Sequence, residues 1–405
     1  MSFRKDGIII LLGAGCSKEA GIPTSIDMIN EIEGMILNGK DNGKHQKDSW
    51  QDYSSLYCYI KSSILYGEGI AGRFGNNTSF NIERLVNTLS ELTKKEDHPI
   101  YPFIGNWNIK LIEVANHDFS RVKALKEKIV EKLKDWVTLD DYYTASYYSK
   151  LVEFKRDYNF PLRLFTLNYD LCLEKHADGA IIERGFDEER HWDWRRFEDN
   201  KDSPSDIFYY KMHGSIDWKR DGDNLTFSDE VRKVHTPDLI FGTNYKLQYI
   251  DPYLFFAYEF RRYSLESQLI VTIGYGFGDE HINGIIRQAL KRDSKRRILC
   301  VSPIEGKEET RINEIRSLLD LGDSNQIILK TMAAKKFMEE ELLIAQLEKE
   351  IPLEEDAIPF LEPSTEEDAI PLLEPSTEAE NAVVERVTIP ATKDTGELIV
   401  KDSNN

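Results

Sequence analysis

Five short stretches place small, polar and titratable residues directly after aliphatic runs. Gly13, Ala14, Gly15, Cys16 and Ser17 follow GIIILL, and Gly21, Pro23 and Thr24 close the same stretch. Thr166, Asn168 and Asp170 stand in FTLNYD, His213 in KMHGSIDW and Gly242 in LIFG, while VTIGYGFGDEHIN carries Gly274, Gly276, Asp279 and His281. A glycine turn between a strand and the Pro-Thr-Ser start of a helix can present backbone N–H groups and a helix N-terminus to an anion, and a pyrophosphate fits that chemistry. The spacing is neither Gly-x-Gly-x-x-Gly nor that of a phosphate-binding ATPase loop, so a purely structural turn stays open.

The other stretches add proton-transfer and hydrogen-bonding groups. Histidine is the side chain type that can accept a proton near neutral pH, and the Gly214 beside His213 leaves room for a ligand; a core histidine is the alternative. Asn168 offers donor and acceptor without a charge. Asp170 either hydrogen-bonds a ligand or caps a helix, and Asp279 either complements a helix dipole or contacts a ligand alongside His281.

These residues must be held by a framework, and the aliphatic runs supply it. GIIILLG, RLFTLN, PDLIFG, QLIVTIG and RRILCVS are continuously apolar rather than alternating, which predicts strands covered on both faces. NQIILKT is a further strand or an edge. The expected fold is α/β, a Rossmann-like doubly wound, mainly parallel sheet with a helical insertion or lobe over about 26–160. FNIERLVNTLSEL and VKALKEKIVEKLKDWV supply its amphipathic helices, and DYYTASYYSKL reads as another with an interface-like face. Ile181 to about Thr236 is expected to be loop-rich, with short strands around YYKMHGS.

Bulk composition narrows the function classes. With 405 residues, one domain over 1–345 and a tail over 351–405 are expected. The tail carries 14 acidic against 3 basic residues, hence −11 of the net −19, and a twelve-residue duplication, EEDAIPFLEPST then EEDAIPLLEPST. Its prolines and charge predict disorder. Four scattered cysteines and eight histidines without ligand spacing predict neither disulfides nor a metal site. The acidic balance argues against direct nucleic-acid binding, and no apolar run is long enough for a membrane span. MSFRKDG lacks the pattern of a secretion signal, so a cytoplasmic protein is expected.

Taken in order, the stretches resemble the sirtuins: GAG-x-S-x-x-x-GIP at Gly13–Pro23, T-x-N-x-D at Thr166–Asp170, His213-Gly214, then Phe241-Gly242. GYGFGDEHIN, Gly274–Asn283, is more similar to the divergent prokaryotic branch of that family. The resemblance implies NAD as substrate, its pyrophosphate on the Gly13–Ser17 turn and its nicotinamide ribose near Asn168, Asp170 and His213; the ligand contact weighed above for Asp279, from the glycine exits beside it, is the adenosine ribose. It implies cleavage of the bond to nicotinamide without a metal. The paired Cys-x-x-Cys module and the Val-Pro-Asn-Phe-Gly peptide segment of the deacetylases are missing, which points to water rather than acyl-lysine as acceptor. An NAD glycohydrolase serving as effector of a prokaryotic antiviral (abortive-infection type) defence system is the implied function, as a homo-oligomer and with a HerA-type translocase ATPase as possible partner. A protein deacylase or ADP-ribosyltransferase, and a non-catalytic NAD or ADP-ribose sensor or scaffold, are the alternatives.

Overall fold

The computed structural model describes residues 3–39, 49–72, 80–94, 108–198, 205–240 and 250–352. Gly242, its neighbour Phe241 and the duplicated acidic repeat lie outside them. The chain divides into two units, Met1–Leu353 and Glu354–Asn405; all that follows concerns the first.

Five consecutive buried aliphatic residues form β1, Ile8–Leu12. It is the centre of a seven-stranded sheet with β2 (Leu162–Thr166), β3 (Ile182–Glu183), β4 (Ile207–Lys211), β7 (Leu269–Ile273), β8 (Arg297–Val301) and β9 (Ile327–Lys330), in the order β3-β4-β2-β1-β7-β8-β9. Every pairing in it is parallel. β5 (Trp218–Asp221) and β6 (Asn224–Phe227) form a separate antiparallel hairpin.

The period of two along a strand sorts the sheet's side chains into two cores. Ile8, Ile10 and Leu12 face one core, Ile9 and Leu11 the other. The first core receives the helices that lie between β1 and β2: α1 (Ser25–Asn38), α2 (Ser54–Ile70), α3 (Ile82–Thr93), α4 (Ile109–Ala115), α5 (Ser120–Val137) and α6 (Ser149–Asp157). The second receives α7 (Tyr253–Glu266), α8 (Glu280–Arg292) and α9 (Glu308–Leu318). The fold is thus a Rossmann-like α/β sheet, helices on both faces, with a helical lobe spliced after its first strand.

The strand order reverses at β1. The chain runs out to β2, β4 and β3 on one side, then crosses back to β7, β8 and β9 on the other. Loops leaving the carboxyl ends of β1, β2 and β7 therefore diverge and open a crevice, where ligands of such sheets bind.

Two expected elements are placed differently. PDLIFG is not a sheet strand within its described part; Leu239 makes a single bridge to Gly214, and the strand of this region is Ile207–Lys211. This is one of the short strands expected around YYKMHGS, and all five of its residues are buried, Lys211 included. DYYTASYYSKL opens as a 3-10 helix, Tyr142–Tyr148, before α6 begins. Tyr147 and Tyr148 pack inward rather than forming an interface face. No described helix is long and apolar enough to cross a membrane.

Candidate functional site

At the switch point lies a cavity of about 390 Å³. The sheet supplies Gly13, Ala14, Gly15 and Ser17 after β1, Leu167–Asp170 after β2, His213 after β4, and Gly274, Tyr275, Gly276, Gly278 and Asp279 after β7. The lobe closes it with Ile22–Ile26 and Met28, with Asn81, Ile82 and Glu83 at the start of α3, and with Leu133 and Val137 of α5. Of the expected site residues, Cys16, Gly21, Thr166 and His281 do not reach the cavity.

Their positions explain why. Cys16 is buried in the core, and that burial pushes its thiol well above the ordinary value. Gly21 ends a 3-10 turn at φ 99°, a conformation that favours glycine. Thr166 is sealed at the end of β2, where its hydroxyl accepts from the Asn168 N–H at 3.1 Å and shapes the turn. The His281 N–H donates to the Asp279 carboxylate at 3.0 Å within the first turn of α8.

One hydroxyl organises the first half of the site. Ser17 Oγ donates to Asp170 Oδ2 at 2.7 Å and accepts from Asn168 Nδ2 at 3.0 Å. Its third contact is the Tyr148 hydroxyl at 2.7 Å. A serine hydroxyl has one hydrogen and two lone pairs, so with Asp170 taking the hydrogen, Tyr148 must be a donor. The second Asn168 Nδ2 hydrogen goes to the Gly13 carbonyl at 3.0 Å. Both amide hydrogens are thereby engaged, and the side chain is left with an acceptor, Oδ1, to offer. Asp170 Oδ1 accepts from the Cys172 N–H at 3.0 Å in a local turn, and it caps no helix, since the next 3-10 helix has Leu173 at its N-cap. Tyr147 donates to the Cys16 carbonyl at 2.6 Å. These two tyrosines fix the glycine turn, and in sequence only their density within DYYTASYYSKL marked them.

The second half pairs His213 with Asp279. Nε2 lies 3.2 Å from Asp279 Oδ2, and both residues are buried. A carboxylate there accepts, so Nε2 carries the hydrogen and the basic lone pair of the neutral ring is on Nδ1. Asp279 also caps α8, its Oδ1 accepting from the N–H groups of His281 and Ile282. The helix-cap reading of Asp279 holds, and the same residue lines the cavity. Behind it Tyr275 and Asn283 fasten the loop: the Tyr275 hydroxyl lies 2.8 Å from Asn283 Oδ1, and Asn283 Nδ2 donates to Phe277, whose φ is 61°.

A buried charge chain joins the two halves from below. The Lys211 ammonium is fully buried and donates to the Asp170 carbonyl and, at 3.0 Å, to Glu174 Oε1. Arg184 stands 3.6 Å from that Glu174 oxygen and 2.7 Å from Asp217 Oδ2. Burial opposes ionisation of Asp217, but the Arg184 and Lys211 charges outweigh it and hold the carboxyl below its usual value. Since Lys211 precedes His213 by two residues and donates to the Asp170 carbonyl, it sets one motif against the other.

A family model described as a SIR2-like domain matches residues 162–319. That segment, from β2 through α9, holds Asn168, Asp170, His213 and Asp279 but not the glycine turn or the lobe. Among solved structures, a mutant Sir2 homologue with 2′-O-acetyl ADP-ribose is 14% identical at a TM-score of 0.40, with 86% of this chain and 94% of that one covered. A Sir2 homologue–NAD complex is 14% identical at a TM-score of 0.38, covering 84% and 89%. At those TM-scores the likenesses carry no weight for the site. No curated protein matches the chain.

In the glycine turn expected to seat an anion, four N–H groups already have backbone partners. The N–H groups of Gly13, Gly15, Cys16 and Ser17 donate to the carbonyls of Ile273, Gly274, Gly13 and Ala14. A Cβ on Gly13 would stand 2.6 Å from the Gly274 oxygen, and one on Gly274, at φ 66°, only 2.1 Å from the Cys16 nitrogen. These glycines are needed because two backbone loops touch. Gly214 is similar: its φ is 86° and its Cβ would meet the Asp238 oxygen at 2.1 Å, so it serves a backbone contact rather than ligand approach. At Gly276 and Gly278, by contrast, a Cβ would meet none of the described residues within 4 Å. The start of α1 is also occupied, since Thr24 and Asp27 form a capping box there.

Proposed function

We propose that the cavity binds nicotinamide adenine dinucleotide and that the chain hydrolyses it to nicotinamide and ADP-ribose. The observation that carries this reading is the convergence of Asn168, Asp170 and the His213–Asp279 pair on one cavity at the switch point. The SIR2-like match over 162–319 supports the ligand class, and the open space beside Gly276 and Gly278 is a cradle that side chains would fill.

In this mechanism Asn168 presents Oδ1 as an acceptor that orients a water or a ribose hydroxyl. Its neutrality matters, since the bond to nicotinamide breaks with positive charge passing to the ribose C1′. The bond's electron pair leaves with the ring nitrogen, the water oxygen adds to C1′, and His213 takes the released proton at Nδ1, directly or through a ribose hydroxyl. Asp279 holds the imidazole in the required tautomer and stabilises its protonated form.

The test is loss of NAD in the presence of the purified chain, with and without an acylated peptide. Asn168→Ala and His213→Ala should each lower the rate by about 10²–10⁴-fold while ADP-ribose still binds. Unchanged turnover in both variants would sink the catalytic assignment, and turnover that needs the peptide would turn the reading to a deacylase. On the sequence resemblance we extend the proposal to a cytoplasmic, homo-oligomeric effector of prokaryotic antiviral defence with a HerA-type ATPase partner. Unchecked loss of NAD harms the cell that makes such an enzyme, so assembly or a partner would restrain it.

A further inference from the structure

The lobe grips the turn after β1 with three hydroxyls of one 3-10 helix, Tyr142–Tyr148. Thr144 donates to the Ala20 carbonyl at 2.9 Å and Tyr147 to the Cys16 carbonyl at 2.6 Å, so these two hold backbone. Tyr148 differs: its oxygen lies 2.7 Å from Ser17 Oγ, a side chain shared by the cavity residues Asn168 and Asp170. Tyr148 itself is buried, forms no part of the cavity's described lining and lies outside the SIR2-like segment.

Counting hydrogens gives each bond its direction. The Ser17 hydrogen goes to Asp170 Oδ2 at 2.7 Å, and an Asn168 Nδ2 hydrogen fills one of the two Ser17 lone pairs at 3.0 Å. Tyr148 fills the other, and burial, which raises its phenol well above the ordinary value, keeps it a protonated donor. The Cys16 thiol also reaches this phenol, but sulfur is a weak acceptor. With all three of its hydrogen-bonding positions used, the Ser17 hydroxyl has a single orientation. Without the phenol oxygen, a buried lone pair of Ser17 goes unmet and the side chain is free to turn away from Asn168. The Asn168 amide then keeps only the Gly13 carbonyl, at 3.0 Å, as its acceptor. The direction that suffers is that of Oδ1, the acceptor the amide offers to the cavity.

We propose that Tyr148 is a positioning residue: acting through Ser17, it fixes the Asn168 amide so that Oδ1 meets the water or ribose hydroxyl in one orientation. This rests on the function proposed above. The competing explanation is a duty in docking the lobe alone, like that of Thr144 and Tyr147.

Steady-state NAD turnover and ADP-ribose calorimetry on the full chain separate the two. Tyr148→Phe, which removes one oxygen, should lower kcat about tenfold and leave ADP-ribose affinity within about twofold. Ser17→Ala breaks the same relay from its other end and should lower kcat by at least as much. In the double variant kcat should match that of Ser17→Ala within about twofold, since the phenol then has no hydroxyl to act through. The inference is overturned if either single variant keeps the parent kcat, if kcat and ADP-ribose affinity fall together in Tyr148→Phe, or if the two losses multiply in the double variant. Should the parent chain consume no NAD, the function proposed above falls and this inference with it, an outcome distinct from independent effects of Tyr148 and Ser17.

Discussion

Two groups of glycines border the same cavity for opposite reasons. Gly13, Gly15 and Gly274 lack side chains because the loops after β1 and β7 press backbone on backbone, and the N–H of Gly15 donates to the carbonyl of Gly274 at 2.9 Å. Gly276 and Gly278 lie two and four residues farther on, with no described atom within 4 Å of a built Cβ. The first group builds the floor; the second leaves space above it. Glycine in a strand-exit turn is thus not one signal. The close approach can be to the protein itself, and only the second kind bears on a ligand.

Substitution separates the groups. Gly274→Ala must accept both a left-handed backbone and a contact with the Cys16 nitrogen, so a loss of about 2–5 kcal/mol is expected from urea unfolding. A loss below about 0.5 kcal/mol would show that the two loops can part easily, which breaks the comparison.

Next in size is the support beneath the floor. Lys211→Met leaves Glu174 and the Asp170 carbonyl without their buried ammonium, at a cost of about 3 kcal/mol. The acid limb tells more. Asp217 has a depressed folded value, so its contribution is complete above the unfolded 3.8 and vanishes as pH falls through the folded value. Removing Lys211 takes away one of the charges that depress it, so in the variant the interval between the unfolded and folded values narrows and the acid limb below about pH 4 is shallower than in the parent. Parallel acid limbs in unfolding series from pH 6 downward would show that the ammonium does not reach Asp217.

Gly276→Ala gives the smallest stability change, within about 0.5 kcal/mol of the parent. If the space beside it belongs to a ligand, ADP-ribose affinity should nonetheless fall in calorimetry. A variant as unstable as Gly274→Ala, or one binding ADP-ribose unchanged, would erase the distinction between the two groups.

The legible and illegible parts of the site follow a similar division. Asn168, Asp170, His213 and Asp279 could be named because each sits within three residues or so of an apolar run's end or of a glycine exit, where a parallel sheet delivers its loops. Tyr147 and Tyr148 could not be assigned a role, since their contacts with Cys16 and Ser17 span 131 residues. The N–H groups of the glycine turn seemed available because a sequence lists donors but not their acceptors; Ile273 and Gly274, which take two of them, arrive from a distant strand. Gly242 and the acidic repeat fall outside the described residues and are not part of this comparison.

The sequence by itself determined the strand periodicity, the α/β class, the lobe after the first strand, and the residue types at the strand exits. These are local properties, set by burial on both strand faces and by turn chemistry. Only the tertiary structure decided which glycines serve packing, which Asn168 atom faces outward, and that Asp279 caps a helix while holding His213. Each of those depends on a hydrogen bond or steric contact between segments far apart in the chain, and no spacing along one segment encodes its partner.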